Sequence, residues 1–587
     1  MNIVGISGLH NSVMFKQQIL PNLTERQYRI VQGLDSAAAL VTSEGIQAAA
    51  AEERFSRKKG TGAFPIGAIR YCLDAGSLTL KAVDYIAHGF SYEPVRELFE
   101  KQDHTRQQFE EVFSRQVLLR WLDEYLGAGS WDDRLIQVPH HIAHAASTFY
   151  PSGFEEALIL VADGMGEIHS TTVAVGRGNE MAVVKQLPAL HSLGLLYGVF
   201  TLYLGFYMNL DEYKVMGLAP YGDPRRYFDR VMELVHLKAD GGYTIPILHE
   251  NVTLEDKETY GGTLRSLADR FGPSREPEAE ISDRHRDLAA ALQAVLESAL
   301  LHILRHFKRQ TGQRNLCLAG GVALNCSANG VIRRSRIFDK VFVQPAAGDD
   351  GTALGAALYA QRLHQPQALL QPMQLPFWGP EYDNEAITGA LTGQLDLKSR
   401  LFTSFDDLIA EVTKRLANKQ IIGWFQGRME FGPRALGSRS ILADPRDPTM
   451  RGRINRIVKK REEFRPFAPA VIEEAAVDFF DIQRGDERTY AAMLFVAPVR
   501  PAYRGELPAI THVDNSARLQ VVSKLDNPRF WQVLHEFGQL TGLPILLNTS
   551  FNVRGQPIVC SPAEAIDTFL ATDLDALVIG DFLVTRR

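Results

Sequence analysis

Two histidines and an acid stand close together in one short stretch of the sequence. His140 and His144 are four residues apart, directly behind Pro139. Proline often opens a helix, and residues at that spacing project from one helical face. Asp163 follows an apolar run, residues 157–162, which predicts a buried strand ending at the sheet edge where ligands bind. Two imidazoles and a carboxylate suit Fe(II), Zn(II) or Mn(II).

This spacing is not specific by itself. His302 and His306 form a second pair four residues apart, with no acid-glycine turn after it. The alternative interpretation of either pair is a helix with one buried and one solvated histidine. A zinc protease is excluded for the first pair, because none of the three residues between the histidines is the glutamate that the HExxH motif requires.

Composition sets the broad class. The chain has 587 residues, of which 45% are hydrophobic and 22% charged, and its net charge is −6. This length predicts several domains of a globular protein, and the acidic balance argues against nucleic acid or an anionic membrane as partner. The N-terminus lacks the cationic region of a signal peptide, no apolar run approaches a spanning helix, and the four cysteines form no CxxC motif. We therefore expect a cytoplasmic protein.

The first half of the chain predicts a repeated β-sheet pattern. Residues 3–7 and 37–53 indicate strands with a tight turn, and residues 157–187 repeat strand, acid-glycine turn, strand, turn and strand. This doubled pattern suits the two ribonuclease-H-like halves of the ASKHA nucleotide-binding fold of actin, Hsp70 and sugar kinases. No Walker A sequence is present, which disfavours a P-loop NTPase.

Two glycine-rich turns follow later. Residues 316–319 indicate a strand that breaks at Gly320-Gly321, before a helix predicted to start near Val322, and such a turn admits phosphate to helix amides. The second turn has the sequence Gly-Asp-Asp-Gly, so Asp349 or Asp350 could add a carboxylate to the metal ligands. A capped loop is the alternative.

The segment from residue 364 to 380 is rich in proline and glutamine, which marks a domain seam. Beyond it, residues 428–465 carry eleven basic against five acidic side chains. A solvated helical face explains part of this charge. Arg434, Arg439 and Arg465, however, stand beside Phe, Gly and Pro, and this setting favours an anion pocket. Few aromatic residues accompany the charge, unlike a nucleic-acid surface.

The chain resembles the O-carbamoyltransferase family, which includes the tobramycin, cephamycin and nodulation-factor carbamoyltransferases. The resemblance rests on motifs in one order along nearly the whole chain: EERFSRKK, HHIAH, DGMGE, EYKVMGLAPYG, GGVALN, GDDGTALGAA, GRMEFGPRALGSRSILADPR, FRPFAPAV and NTSFN. It implies an α/β protein with an ASKHA-fold transfer domain at residues 1–366 and an α+β, YrdC-like adenylation domain at residues 367–587.

The resemblance also implies a reaction. Carbamoyl phosphate and ATP with Mg²⁺ would give carbamoyl-adenylate, and the carbamoyl group would pass to a hydroxyl of a small natural-product metabolite. Iron would be held by His140, His144, Asp163 and Asp349, the first acid of its pair. Lys59 would contact the intermediate or the acceptor, and the adenylate would lie on Gly320, Gly321, Val322 and Asn325. The carbamoyl phosphate and ATP site would comprise Arg434, Lys459, Arg465, Arg518, Asn548 and Ser550. A homodimer is a further expectation.

The sequence departs from the family pattern near its start. Leu34-Asp35-Ser36 stands where the family has His-Asp, which leaves the base that activates the acceptor unassigned. We consider His10 as the substitute. Residues 11–32 separate the two positions, and we expect this mildly basic insertion to fold over the metal cleft as part of the acceptor pocket, rather than as a surface embellishment.

Two rival functions follow from the same features. A tRNA threonylcarbamoyl-type enzyme would also require threonine and RNA, and a non-catalytic ATP-binding protein of the Hsp70 superfamily would form no AMP. The hydrogenase-maturation carbamoyltransferase is disfavoured, because the chain has no paired CxxC motifs.

Overall fold

The computed structural model describes residues 1–368, 372–459, 462 and 464–587. The chain divides into two compact units. The first comprises residues 1–56 and 60–373, and the second residues 57–59 and 374–587. The division falls within the segment predicted as a seam, of which residues 369–371 lie outside the described residues. The assignment of one half-reaction to each domain stays a prediction.

The first sheet of unit 1 has five strands, in the order β3-β2-β1-β4-β5. These are β1 (Ile3–Ile6), β2 (Ala37–Thr42), β3 (Gly45–Ala51), β4 (Tyr85–His88) and β5 (Leu135–Gln137). The first three strands pair antiparallel, and β4 and β5 continue the sheet in parallel.

The second sheet of unit 1 repeats this topology. Its strands are β6 (Glu156–Ala162), β7 (His169–Arg177), β8 (Glu180–Pro188), β11 (Asn315–Ala319) and β12 (Lys340–Val343). The strands β9 (His236–Leu237) and β10 (Tyr243–Thr244) form a separate two-stranded ribbon. The order of the second sheet is β12-β11-β6-β7-β8, with β6, β7 and β8 antiparallel and β6, β11 and β12 parallel. The repeated order confirms the predicted pair of ribonuclease-H-like halves and the ASKHA fold.

Helices cover these sheets. The α-helices of unit 1 are Ser12–Ile19, Glu25–Tyr28, Glu53–Ser56, Ile66–Ala75, Asp103–Gln108, Arg115–Leu126, His140–Phe149, Leu193–Tyr203, Glu212–Leu218, Phe228–Met232, Leu254–Thr259, Gly261–Phe271, Asp283–Thr311, Cys326–Arg334 and Asp350–His364. The helix expected near Val322 is instead a 3₁₀ turn, Gly321–Leu324, and the α-helix begins at Cys326.

One helix corrects the expectation that no segment could span a membrane. Asp283–Thr311 is long and apolar enough to do so by length and composition. However, 72% of its most apolar window is buried inside the protein, as in the core helix of a globular domain.

Unit 2 contains a mixed sheet of eight strands in the order β13-β22-β21-β14-β15-β20-β16-β19. Its strands, with the pair β17 and β18 that forms a separate ribbon, are β13 (Leu397–Leu401), β14 (Ile422–Phe425), β15 (Arg439–Ala443), β16 (Ala468–Ile472), β17 (Val496–Pro498), β18 (Ser516–Arg518), β19 (Gln520–Val522), β20 (Ile545–Ser550), β21 (Ala576–Ile579) and β22 (Phe582–Arg586). Its α-helices are Asn384–Leu391, Phe405–Ala417, Met450–Ile454, Ala476–Phe479, Pro528–Thr541 and Pro562–Leu570. An apolar core around the buried Trp424 joins two of these helices to the sheet. The predicted α+β character is confirmed.

The first turn of the Asp283–Thr311 helix contains a buried histidine, His285. A capping box closes this end, in which the Ser282 amide donates to Nδ1 of His285 at 3.1 Å. Burial, with help from the neighbouring arginines, lowers the pKa of His285 to about 4. In the unfolded chain a histidine has a pKa of about 6.5. Between about pH 4 and about pH 6.5 the unfolded state therefore binds more protons than the folded state, so the free energy of unfolding falls as the pH drops through this range.

We expect His285→Gln to weaken this acid sensitivity. Glutamine can serve the same capping box but does not titrate. Urea unfolding at about pH 7 and about pH 5 should show a larger loss of stability for the wild type than for the variant. An equal loss in both proteins would assign the acid sensitivity to other groups.

Candidate metal centre

Four side chains from three elements of unit 1 converge on one point. His140 and His144 lie on one face of the His140–Phe149 helix, Asp163 directly follows β6, and Asp349 precedes the Asp350–His364 helix. One ligand atom from each lies within 4.8 Å of every other. Both imidazoles are fully buried and Asp163 is 6% exposed. The structure thus groups Asp349, and not Asp350, with the two histidines.

The spacing of these atoms fits a coordination shell. The Nε2 atoms of His140 and His144 are 3.1 Å apart. Nε2 of His140 lies 3.5 Å from Oδ2 of Asp163 and 3.5 Å from Oδ1 of Asp349. Ligands about 2.1 Å from a shared ion lie roughly 3.0 to 3.5 Å from their neighbours. The donor set of two imidazoles and two carboxylates is suited to a divalent transition metal.

The two helices that carry these ligands cross very closely. Gly355, on the helix that follows Asp349, lies against the helix that bears the histidines. A Cβ atom added there would lie 1.8 Å from the carbonyl oxygen of Ala143. A larger residue would force the helices apart. The glycine is therefore a condition for Asp349 to reach the histidines.

His140 is held in a defined orientation by segments around β4 and β6. Its Nδ1 lies 3.0 Å from the Gly89 carbonyl, which can only accept, so Nδ1 keeps its proton and Nε2 is the nitrogen that can bind a metal once it is deprotonated. Phe90 stacks on the imidazole at a centroid distance of 4.0 Å. Oε1 of Glu167 accepts from the backbone amides of both His140 and Ser91, each at 2.8 Å. Of these supporting residues, the sequence motifs include only Glu167, in DGMGE, and assign it no role.

Asp163 is oriented by the glycine turn after β11. The Gly321 amide donates to Oδ1 of Asp163 at 2.8 Å. Gly320 has a φ of +89°, and a Cβ atom there would lie 2.3 Å from the Ala162 carbonyl oxygen. Only glycine allows this approach without strain. The turn predicted to hold the adenylate therefore lies directly beside Asp163, a member of the candidate metal centre.

Electrostatics keeps both carboxylates charged. Burial opposes ionisation of Asp163 and Asp349, but the attraction of the neighbouring His140 is stronger, so the pKa of each acid lies below its usual value. Burial also opposes the charging of His140, and Asp349 and Asp163 outweigh it to raise the pKa of that imidazole. Deprotonated carboxylates are the form that binds a cation.

A second group of acidic residues, Asp35, Glu53 and Asp350, influences the charge state around Asp349, and all three lie in motifs already noted in the sequence. Burial, followed by repulsion from Glu53 and Asp349, raises the pKa of Asp350 to about 7. Burial and the charges of Asp350, Glu53 and Asp349 likewise raise the pKa of Asp35. Asp35 adopts a left-handed backbone conformation, with φ of 59°.

The other predicted adenylate residues take different places. Val322 lies in the 3₁₀ turn, half-buried. Asn325 is buried and caps the Cys326–Arg334 helix, since its Oδ1 accepts from the Ala328 amide at 3.0 Å. Its Nδ2 donates to Oε1 of Gln293 at 2.9 Å. Asn325 thus supports the turn from behind.

The two residues predicted to be catalytic are not members of the ligand group. Nδ1 of His10 accepts from the Phe64 amide at 2.9 Å, and its Nε2 lies 3.2 Å from the Tyr125 hydroxyl. Both ring nitrogens are therefore engaged with other groups. Lys59 belongs to the short segment 57–59 that groups with unit 2, where Arg57 donates to the Ile558 carbonyl at 2.9 Å. Their catalytic roles stay predictions.

In unit 2, Lys459 contacts Ser550, and both belong to the predicted carbamoyl phosphate and ATP site. The Lys459 ammonium donates to the carbonyl and hydroxyl oxygens of Ser550 and to both oxygens of Asn552. Lys459 is only 4% exposed. Lys460 and Arg461, which follow it in the basic segment, lie outside the described residues.

The remaining predicted residues of unit 2 lie on segments linked through one buried amide pair. Nδ2 of Asn548 donates to Oε1 of Gln520 at 2.7 Å, and Nε2 of Gln520 donates to the Leu436 carbonyl at 2.9 Å. These contacts join β20 and β19 to the loop that contains Arg434. Arg518 lies two residues before Gln520, and Arg465 lies three residues before β16, which pairs with β20.

Arg439 differs from its predicted role in an anion pocket. It is completely buried and donates to the carbonyl oxygens of Gln426, Gly427, Ser438 and Pro380. Its guanidinium also lies 3.7 Å from the centre of the Phe425 ring. With these donors engaged, Arg439 is a structural residue.

Comparison with known proteins identifies the family. The model described as Carbamoyltransferase N-terminus matches residues 31–358, and that described as Carbamoyltransferase C-terminus matches residues 413–586. The chain belongs to the carbamoyltransferase family. It is therefore a transferase enzyme, as the sequence motifs predicted.

Relatives cover most of this carbamoyltransferase. It is 42% identical to Nodulation protein NolNO of Sinorhizobium fredii, over 94% of this chain and 79% of that protein. It is 46% identical to Nodulation protein NolO of Bradyrhizobium diazoefficiens, over 76% of this chain and 79% of that protein. Among solved structures, HypF of T. kodakarensis matches 63% of this chain and 49% of its own, at 14% identity and a TM-score of 0.30, which is too low to bear on function.

We expect His144→Ala to abolish tight metal binding. The change removes one of four converging donors, so it should cost more than the roughly 10- to 100-fold in affinity that loss of an outer-shell contact costs. Titration with Co²⁺ in competition with a chelator measures this affinity. His302→Ala is the matched control, because His302 belongs to the other pair at the same spacing and its Nε2 lies 2.9 Å from the Lys238 carbonyl oxygen. Equal affinity of both variants would contradict the centre.

Proposed function

We propose that the protein is an ATP-dependent O-carbamoyltransferase that acts on a hydroxyl group of a small metabolite. In the first half-reaction, water cleaves carbamoyl phosphate to carbamate and phosphate, and carbamate attacks the α-phosphorus of ATP to give carbamoyl-adenylate and pyrophosphate. In the second, an acceptor hydroxyl attacks the carbamoyl carbon, AMP leaves, and the hydroxyl proton passes to a base. The proposal extends the family's carbamoyl transfer to a named activation step.

The contact between Gly321 and Asp163 is the observation that carries this proposal. It joins a glycine turn of the kind that binds nucleotide phosphates to a carboxylate of the candidate metal centre. A nucleotide on the turn would place its phosphate ester beside the four ligands. One site could then hold both the AMP leaving group and the carbonyl under attack.

The residues of the centre fit iron. His140, His144, Asp163 and Asp349 would hold Fe(II), or another divalent metal of similar preference, through two nitrogens and two oxygens. When bound, such an ion supplies a Lewis acid that polarises a carbonyl and stabilises developing negative charge. The Gly89 carbonyl holds the proton of His140 on Nδ1, which directs Nε2 to the metal, and Glu167 fixes the His140 backbone.

The residues of unit 2 suit the activation step. Carbamoyl phosphate and ATP are polyanions, which require cations in a partly buried setting. Lys459, with its neighbour Ser550, and the half-buried Arg434, Arg465 and Arg518 supply this charge in an otherwise acidic protein. Magnesium would accompany ATP.

The proposal is tested by product formation. The protein is incubated with ATP, carbamoyl phosphate and a panel of hydroxylated metabolites, and mass spectrometry detects the gain of one carbamoyl group. Pyrophosphate exchange into ATP should require carbamoyl phosphate and be indifferent to threonine and bicarbonate. Exchange that requires threonine and bicarbonate would favour threonylcarbamoylation, and ATP binding without AMP formation would favour a non-catalytic protein.

We expect His144→Ala to separate the two half-reactions. The variant should lose transfer to the acceptor, because a ligand of the centre is missing, while carbamoyl phosphate-dependent pyrophosphate exchange continues. Exchange and transfer are measured on the same preparation, with His302→Ala as control. Loss of both activities in His144→Ala alone would count against separate sites.

Arg465→Ala should weaken exchange, and transfer with it, because the acceptor step depends on the adenylate. A bound phosphate loses a charge-assisted partner, which costs roughly 1.5 to 3 kcal/mol, or about 10- to 150-fold in rate. Arg456→Ala is the matched control, since Arg456 is an exposed arginine of the same basic segment. Normal exchange in Arg465→Ala would place the anion site elsewhere in unit 2.

A further inference from the structure

Residues 11–32, which we call the strap, pack against the rest of unit 1. The strap contains the helices Ser12–Ile19 and Glu25–Tyr28. Lys16, 1% exposed, donates to the Ile30 carbonyl at 2.7 Å and pairs with the Glu258 carboxylate at 3.5 Å. Nε of Arg26 donates to the Phe206 carbonyl at 2.7 Å. These contacts fix both helices of the strap.

The last residue of the strap reaches the surroundings of the metal centre. Nε2 of Gln32 donates to the Met165 carbonyl at 3.1 Å and to the Gly166 carbonyl at 2.9 Å. Its Oε1 accepts from the hydroxyl of Tyr92, which is 1% exposed. One amide group therefore joins the loop after β6 to the loop after β4.

These two loops are the ones that support the first metal ligand. The loop after β4 provides Gly89 and Phe90, which orient the His140 ring. The loop after β6 begins with the ligand Asp163 and includes Glu167, which binds the His140 amide. A change in the distance between the loops would move an imidazole against a carboxylate.

We propose that Gln32 is a positioning residue of the metal centre, and that the strap sets the geometry of that centre. The inference rests on the proposed metal site but not on the reaction assigned to it. The N-terminal family model matches from residue 31 onward, so nearly all of the strap precedes the matched part.

Burial makes this cross-tie hard to replace. Without Gln32, the buried Tyr92 hydroxyl and the two carbonyls would need other partners or would stay unpaired, and an unpaired buried polar group is costly. The loops would shift to recover hydrogen bonds. Ligand placement would then suffer, although Gln32 touches no ligand.

The test compares metal binding in whole-chain variants. Gln32→Ala removes both halves of the tie, and Tyr92→Phe removes one half while it keeps the ring. Gln18→Ala is the control, because Gln18 is an exposed glutamine of the same strap. Co²⁺ alone is titrated into each protein against a chelator, its visible absorption spectrum reports the ligand geometry, and thermal unfolding checks the fold.

We expect Gln32→Ala to bind Co²⁺ about 10- to 100-fold more weakly, as outer-shell changes do, with an altered spectrum. Tyr92→Phe should show a smaller loss in the same direction, and Gln18→Ala none. Wild-type affinity and spectrum in both Gln32→Ala and Tyr92→Phe would overturn the inference while the metal centre stands. Absence of Co²⁺ binding by the wild type would instead refute the metal centre itself. If Gln32→Ala does not fold, Tyr92→Phe decides.

Discussion

The convergence of four charged or polar groups at one point, three of them buried, is the constraint on which this part of unit 1 depends. Two carboxylates and two imidazoles have atoms within 4.8 Å of one another, and Asp349 alone of the four is partly exposed. Charges taken out of water are costly unless paired and hydrogen-bonded. The centre meets this cost through mutual attraction and through fixed donors and acceptors, such as the Gly321 amide and the Gly89 carbonyl. The resulting arrangement of two carboxylates and two imidazoles is the donor set on which the proposed metal site rests.

The repeated sheet topology explains how the ligands meet. Each half ends its parallel strands at an edge where loops and helix starts gather, and β6 delivers Asp163 there. The histidines come from the helix that follows β5, and Asp349 from the helix start that follows β12. Elements of both sheets thus contribute, and the helix crossing at Gly355 sets how near they come.

The convergence of His140, His144 and Asp163 could be predicted from the sequence because their pattern is local. A helix repeats every 3.6 residues, so His140 and His144 share a face wherever the helix packs, and an acid after an apolar run marks a strand end. Glu167 and Gln32 could not be predicted in this way, since they act on backbone groups that only the tertiary fold brings near. For Arg439 the sequence predicted an anion-binding role that the structure does not support. Its guanidinium N–H groups donate instead to four backbone carbonyl oxygens.

In unit 2, as in the metal centre, a buried carboxylate accepts hydrogen bonds from backbone amides of a loop. Oε1 of Glu430 accepts from the amides of Leu436, Ser438 and Arg439 at 2.7 to 3.2 Å, so one buried carboxylate gathers the loop that contains Arg434. In unit 1, Asp163 gathers a glycine turn in the same manner. A buried acid that binds backbone amides fixes a loop and leaves the side chains of that loop available for other contacts. Arg434 and the Gly320-Gly321 turn are then held in place by their own backbones, which suits sites that must be formed before an anion arrives.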